Sequence, residues 1–98
     1  FVRFPTVTAT ILRPNGRRGV LTVETGVDVP DAGLRARAEQ SAPRLRAAYN
    51  TVVQQIASAM LPGAPPDVER MVARLQAATD ATLGRPGAHL LLGTVMVA

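Results

Sequence analysis

The sequence predicts a single α+β domain over residues 1–98, in which a three-stranded sheet packs on two helices. Three observations predict this class. Two stretches near the N-terminus alternate apolar and polar residues, as half-buried strands do. Between residues 31 and 83 apolar side chains recur every three or four positions, which is the period of one helical face. A short apolar run closes the chain, so the predicted order is β-β-α-α-β, with both helices on one face of the sheet.

The first two strands are predicted to form an antiparallel hairpin. Residues 6–12, TVTATIL, alternate throughout and contain β-branched residues at most positions. Residues 20–29, VLTVETGVDV, alternate in the same way. Between them Asn15 and Gly16 supply a pair that tolerates positive φ in a tight turn. The hairpin should therefore bury one face and leave the other in water.

A long helix is predicted over residues 31–60, with one irregularity at Pro43. Proline lacks the N–H that a helix interior requires, and its ring crowds the preceding turn. Either the helix kinks near Pro43, or it breaks into 31–40 and 42–60 with Ser41 capping the second part. The apolar stripe runs through this point without interruption, which favours the kink.

The rest of the chain is predicted as loop, helix and strand. Residues 61–66, LPGAPP, form a linking loop, and residues 67–83 form a second helix that ends at Gly84. Residues 88–97, AHLLLGTVMV, are almost continuously apolar, so we expect a central strand buried on both faces. The predicted core residues are Leu34, Leu45, Val52, Ile56, Met71, Leu75, Leu91 and Val95.

The composition excludes several kinds of chemistry. The chain contains no cysteine, which excludes disulfides, thiolate catalysis and cysteine-ligated metal. No apolar run reaches the length of about 18 residues that a membrane-spanning helix needs. The net charge is +4, and every basic residue is an arginine, which is typical of GC-rich coding as much as of an anionic partner.

No catalytic, cofactor or metal site is predicted, and we expect a protein that is not an enzyme. His89 is the only histidine and has no acidic cluster near it in the sequence. Glu24 and Asp28 share a strand face but lie roughly 13 Å apart, at about 3.3 Å per residue. That separation is too large for an acid and base pair or for a shared metal.

Arginines are the only candidate site residues, as contacts to an anion or a protein partner. They fall into a hairpin group and a helix group. The members are Arg13, Arg17, Arg18, Arg35, Arg37, Arg44 and Arg46. Together they could follow a phosphate backbone, which makes a nucleic-acid-binding domain the alternative function of a different class, or they could contact an anionic membrane surface. The same arginines would serve either surface equally well, although the chain lacks the lysines, the aromatic stacking residues and the helix-turn-helix, zinc-finger or ribonucleoprotein signature that are typical of nucleic-acid-binding domains.

Four stretches resemble the C-terminal domain of the FliL family, the flagellar basal-body-associated proteins. They are GVLTVETGVDV at 19–29, APRLRAAYNTVV at 42–53, VERMVARLQAATDATLG at 68–84 and HLLLGTVMV at 89–97. The likeness covers residues 6–97. It consists of the spacing of the apolar residues and of the positions of the residues that end helices and strands. The closing strand lacks the aromatic residues of that family.

The resemblance implies a stomatin-like fold without catalytic activity or cofactor. It further implies a bacterial periplasmic domain tethered to the inner membrane, self-association through sheet edges or helices, and contact with the flagellar stator. Residue 1 is Phe, so we expect that an N-terminal segment, either a membrane anchor or a cleaved signal, has been removed. A secreted or periplasmic protein of the same fold without a flagellar role is the alternative.

Overall fold

The computed structural model describes residues 1–98 and confirms the α+β class. Four strands form one sheet, and three helices accompany it. The elements are β1 (Val2–Arg3), β2 (Val7–Leu12), β3 (Arg18–Asp28), α1 (Ala32–Gln40), α2 (Ala42–Ala59), α3 (Val68–Leu83) and β4 (His89–Val97). The predicted order therefore gains a two-residue first strand and a third helix.

The central strand is β3, and all its pairings are antiparallel. One side of β3 pairs with β2 and then with the short β1, and the other side pairs with β4. The prediction that the last strand is central is therefore wrong. The apolar side chains of β4 are divided between two faces, and those on the face away from the helices, such as Leu91 and Met96, are exposed. An apolar run of this length thus belongs to an edge strand with an unusually apolar open face.

A bulge interrupts the pairing of β4 with β3. Val95 lies opposite Val23, whereas Leu92 lies opposite Thr25, so two residues of β4 face the single residue Glu24. The extra residue reverses the alternation of the strand. Leu91 therefore points to the open face and is 44% exposed, which makes its predicted place in the core wrong.

The remaining predicted core residues lie on the side of the sheet that the helices cover. Val95 is partly buried and packs against the core. The other six are buried: Leu34, Leu45, Val52, Ile56, Met71 and Leu75. The heptad-like spacing on the helices thus identified their buried faces correctly.

The hairpin turn between β2 and β3 differs in detail from the prediction. Only Gly16 has a positive φ, of 77°, while Asn15 does not. The Gly16 N–H donates to the Arg13 carbonyl at 2.9 Å, and the Arg13 N–H donates to the Arg17 carbonyl at 2.8 Å. Asn15 instead accepts the Arg17 N–H through its side chain at 3.0 Å. The connection is a three-residue loop in which glycine takes the left-handed position.

The predicted long helix breaks and does not kink. Helix α1 ends at Gln40, α2 begins at Ala42, and Ser41 lies between them with φ −93° and ψ 5°. Pro43 falls in the first turn of α2, where the backbone N–H has no acceptor within the helix, so its absence costs nothing. The Ser41 side chain makes no capping bond to α2, and its hydroxyl instead accepts from Arg44 at 3.0 Å.

Twenty buried apolar residues form one core between the sheet and the helices. Tyr49 of α2 is fully buried at its centre, and its ring meets Phe4 edge to face with centroids 5.3 Å apart. The Tyr49 hydroxyl bonds the Thr79 hydroxyl of α3 at 2.6 Å. Phe4 follows the strand β1, which the sequence analysis did not predict, and its N–H donates to the Thr25 carbonyl.

Candidate interaction surfaces

The outer edge of β4 has few partners within the chain. Val20 and Ala98 exchange both of their backbone hydrogen bonds, and ladder bonds alternate along an antiparallel pair. The residues of β4 that do not exchange backbone hydrogen bonds with β3 therefore direct their N–H and C=O groups away from it. Leu90, Leu92, Val95 and Val97 are such residues.

Gln76 of α3 blocks the first part of this edge. Its side-chain oxygen accepts the Leu90 N–H at 2.9 Å, and its side-chain nitrogen donates to the Ala88 carbonyl at 2.8 Å. These are the two bonds that a neighbouring strand would make there. Beyond Leu90 no group of the chain pairs with the outward backbone, and we call this segment, residues 92–97, the free β4 edge.

The other edge of the sheet, β2, is more polar. Gln54 of α2 donates to the Thr8 carbonyl at 3.0 Å, so a glutamine blocks this edge as well. The exposed side chains of the strand include Thr8 and Thr10. The two edges thus differ in character, since the free β4 edge carries aliphatic side chains.

The structure places the predicted arginines in two separate groups. Arg13, Arg17 and Arg18 lie at the hairpin turn, beside the first residue of β3. The arginines of α1 follow the last residue of β3, at the other end of that strand. The eleven residues of β3 span roughly 35 Å at about 3.3 Å per residue, in a molecule 49 Å long. The seven predicted side chains therefore do not form one continuous basic strip.

Two of the helix arginines have structural partners. Arg35 donates to the Val29 carbonyl through Nε at 3.2 Å and through Nη2 at 3.0 Å, which satisfies the backbone where β3 ends. Arg44 bonds the Ser41 hydroxyl at the break between α1 and α2. Arg37 and Arg46 are exposed and make no hydrogen bond within the chain.

The hairpin group has apolar neighbours. A groove of about 340 Å³ lies between the hairpin and the loop that joins α2 to α3. Leu12, Arg13, Leu61 and Val97 are among its lining residues. We call this end of the molecule the basic tip, and define it by Arg13, Arg17, Arg18, Leu12 and Leu61.

Among the residues that the sequence analysis considered for chemistry, Asp28 and His89 lie opposite each other where β3 pairs with β4, but they form no ion pair. Glu24, Asp28 and His89 are all exposed, and no three acidic or histidine side chains are grouped so that they could hold a metal ion. The ion pair of the chain joins Arg85 to Asp31 at 3.0 Å on the surface. None of the three helices is both long and apolar enough to cross a membrane.

Sequence reasoning missed the two glutamines that block the sheet edges. Gln76 occupies a position four residues after Val72 and three before Thr79, next to the apolar stripe of α3. The position of Gln76 beside the buried stripe was a signal for such a role. Its partners could not be identified from the sequence, because the backbone groups of Ala88 and Leu90 lie 12 and 14 residues away. Comparison with known proteins finds no protein family and no curated protein that matches the chain.

Proposed function

We propose that this protein is a non-enzymatic, FliL-like scaffold domain of the bacterial periplasm that acts through protein contacts, including contacts with itself. The observation that carries the proposal is the free β4 edge. Unpaired strand edges recruit further strands, and folded proteins usually block them with charges, prolines or covering loops. Residues 92–97 contain no charged residue and no proline, and the bulge at Gly93 and Thr94 is the one irregularity of this edge.

A second copy of the chain is the occupant that this edge fits best. Strand β4 contains no Asp, Glu, Lys or Arg, so two copies would meet without charge repulsion. Antiparallel pairing would satisfy the outward backbone groups of both strands and would join two four-stranded sheets into one. The exposed Met96 side chains, each 54% exposed in the single chain, would lose contact with water along the new pair.

Light scattering during size-exclusion chromatography tests this self-association. We expect a mass above the 10.3 kDa of one chain, rising with concentration. Met96→Lys should return the mass to that of a monomer, because it places like charges beside each other at the paired edges. Val20→Lys is the matched control, since Val20 is an exposed residue of the same face on the central strand β3. A monomer at every concentration would contradict the proposal.

The flagellar part of the proposal needs a cellular test. Deletion of the gene should impair swimming or swarming, and the protein should co-purify with stator components from detergent-solubilised membranes. If motility is unchanged while the protein is found in the periplasm, the alternative is correct, namely a periplasmic or secreted protein of the same fold without a flagellar role. The nucleic-acid alternative is less favoured, because its arginines lie in two groups at opposite ends of β3.

A further inference from the structure

The three arginines of the basic tip are free of the partners that occupy other arginines. Arg35 and Arg44 are hydrogen-bonded, and Arg85 pairs with Asp31. The side chains of Arg13, Arg17 and Arg18 are exposed and make neither a hydrogen bond nor an ion pair within the chain. Three uncompensated positive charges therefore lie at this end.

Exposed aliphatic side chains accompany these charges. Leu12 is 54% exposed at the end of β2, and Leu61 is 74% exposed in the neighbouring loop. The two loops are in contact, because a Cβ on Gly63 would lie 2.7 Å from Cγ of Pro14. Gly63 also has φ 77°, a left-handed conformation that favours glycine, and the absence of a Cβ leaves room for Pro14. The leucines and arginines thus belong to one surface at the hairpin end of the molecule.

No acidic side chain forms an ion pair with the arginines of this surface. Asp67 lies in an adjoining groove with Leu61, and its carboxylate accepts the Arg70 N–H at 3.1 Å as the cap of α3. Arg70 and Arg74 line the same groove. The positive charge of the tip is therefore not offset locally.

We propose that the basic tip docks on the surface of an anionic phospholipid membrane. Leu12 and Leu61 enter the boundary between headgroups and acyl chains, and the three arginines contact lipid phosphates around them. Aliphatic side chains inside a ring of basic residues gain from both the hydrophobic and the electrostatic part of such binding. The proposal does not depend on self-association or on a flagellar role.

The side chains at the tip favour lipid over the other anionic or macromolecular partners. Single-stranded nucleic acids require aromatic or similar stacking platforms. The three aromatic residues are elsewhere, since Phe4 and Tyr49 lie in the core and Phe1 covers Gly26. Protein interfaces also depend on aromatic anchors, and leucine is under-represented among their main contributors. Leucines exposed at the end of a strand and in the neighbouring loop suit insertion into a membrane.

Vesicle flotation with the intact chain tests the proposal. One set of vesicles contains phosphatidylcholine alone, and the other contains phosphatidylcholine and phosphatidylglycerol in equal amounts. We expect binding to the anionic set only, weakening as salt is raised. Replacing Arg13, Arg17 and Arg18 by Gln should reduce the affinity about 100-fold, if each contributes the usual amount for a basic residue near a charged surface.

The matched control changes three exposed arginines away from the tip. Replacement of Arg3, Arg37 and Arg46 by Gln lowers the net charge from +4 to +1, as the tip variant does, so it should leave most of the binding intact. Leu61→Ser should reduce the affinity roughly tenfold without changing the charge. Circular dichroism establishes that each variant is folded.

Several outcomes would overturn the proposal. Equal losses in the two triple variants would mean that net charge, and not the tip, drives binding. Binding that Leu61→Ser leaves unchanged would mean that no side chain enters the membrane. Failure to float with anionic vesicles, or salt-sensitive binding to duplex DNA with no binding to vesicles, would also refute membrane docking.

Discussion

At the scale of single residues, the two hydrogen bonds of the Thr79 hydroxyl determine which group donates in each. The Thr79 hydroxyl donates to the Leu75 carbonyl at 2.8 Å, as its single hydrogen allows. The Tyr49 hydroxyl must therefore donate to Thr79. Burial raises the pKa of Tyr49 above its ordinary value of 10.0; the hydrogen bond with Thr79 partly offsets this rise, and the charge of Asp80 adds to it. The net effect keeps the phenol protonated in the folded state.

This raised pKa predicts a loss of stability in alkali. Below pH 10 Tyr49 is protonated in both the folded and the unfolded chain, so its full contribution to the free energy of unfolding is present there. Above pH 10 the unfolded chain releases the proton first, and the free energy of unfolding should fall until the folded pKa is passed. The chain has no lysine or cysteine, so Tyr49 is the only side chain that titrates in this range.

Absorbance of the tyrosinate, recorded in buffer and in denaturant, measures the two pKa values directly. Tyr49→Phe should abolish the alkaline loss and should cost about 1 kcal/mol at neutral pH, the usual value of one hydrogen bond. The same titration midpoint in the folded and unfolded chain would contradict the prediction.

At the scale of secondary-structure elements, local signals predicted where helices begin and end. Gly84 ends α3 with φ 82°, as its residue type indicated, whereas Asp67, predicted as the first helical residue, lies one residue before α3 and caps it by accepting the Arg70 N–H. The stripe through Pro43 was misleading, because two helices that meet at Ser41 continue the same buried face. Periodicity therefore identified the buried side of this segment but not the break in its backbone.

The position of Pro43 predicts how prolines act in α2. Pro43→Ala should change the free energy of unfolding by less than about 1 kcal/mol, because no N–H is needed in the first turn. Ala47→Pro, one turn later at another exposed site, should cost about 3 kcal/mol or more. Urea denaturation measures both. A gain of several kcal/mol in Pro43→Ala would instead indicate a strained, continuous helix.

The glutamine at the β4 edge gives a second prediction at this scale. Gln76→Ala removes the hydrogen bonds to the Leu90 N–H and the Ala88 carbonyl, as well as one to Asp80, and should cost about 1–2 kcal/mol. It should also accelerate hydrogen exchange at the Leu90 amide. Gln54→Ala, which removes one bond to the β2 edge, is the control and should leave the Leu90 amide unchanged. Unaltered protection of Leu90 in Gln76→Ala would refute this role.

At the scale of the whole molecule, the fold class was predictable and the arrangement of the sheet was not. Alternation and helical period depend on neighbouring residues, so they are visible in the sequence. Strand order depends on which distant segments pair, and neither the central place of β3 nor the pairing of Val2 with Val27 has a local signal. For the same reason the sequence indicated the arginines of the basic tip but not their proximity to Leu61.

A single core predicts cooperative unfolding of the whole chain. Helices α2 and α3 and all three long strands contribute to the same buried cluster, so no part should melt alone. We expect one calorimetric transition of roughly 70 kcal/mol near 60 °C, at about 0.7 kcal/mol per residue. Calorimetry on Met96→Lys avoids the effect of association on the melting temperature. Two resolved transitions, or a calorimetric enthalpy well above the van't Hoff value, would contradict a single core.

The bulge in β4 has a consequence for how the strand tolerates changes in length. Removal of Thr94 would leave Gly93 alone opposite Glu24 and Val95 still opposite Val23, so the ladder would become regular and no side chain would change face. Removal of Leu91 would instead shift the residues of β4 on one side of the deletion by one position, so that their buried side chains would turn to the open face. The bulge is thus the place at which β4 can lose one residue, Gly93 or Thr94, and keep its pairing.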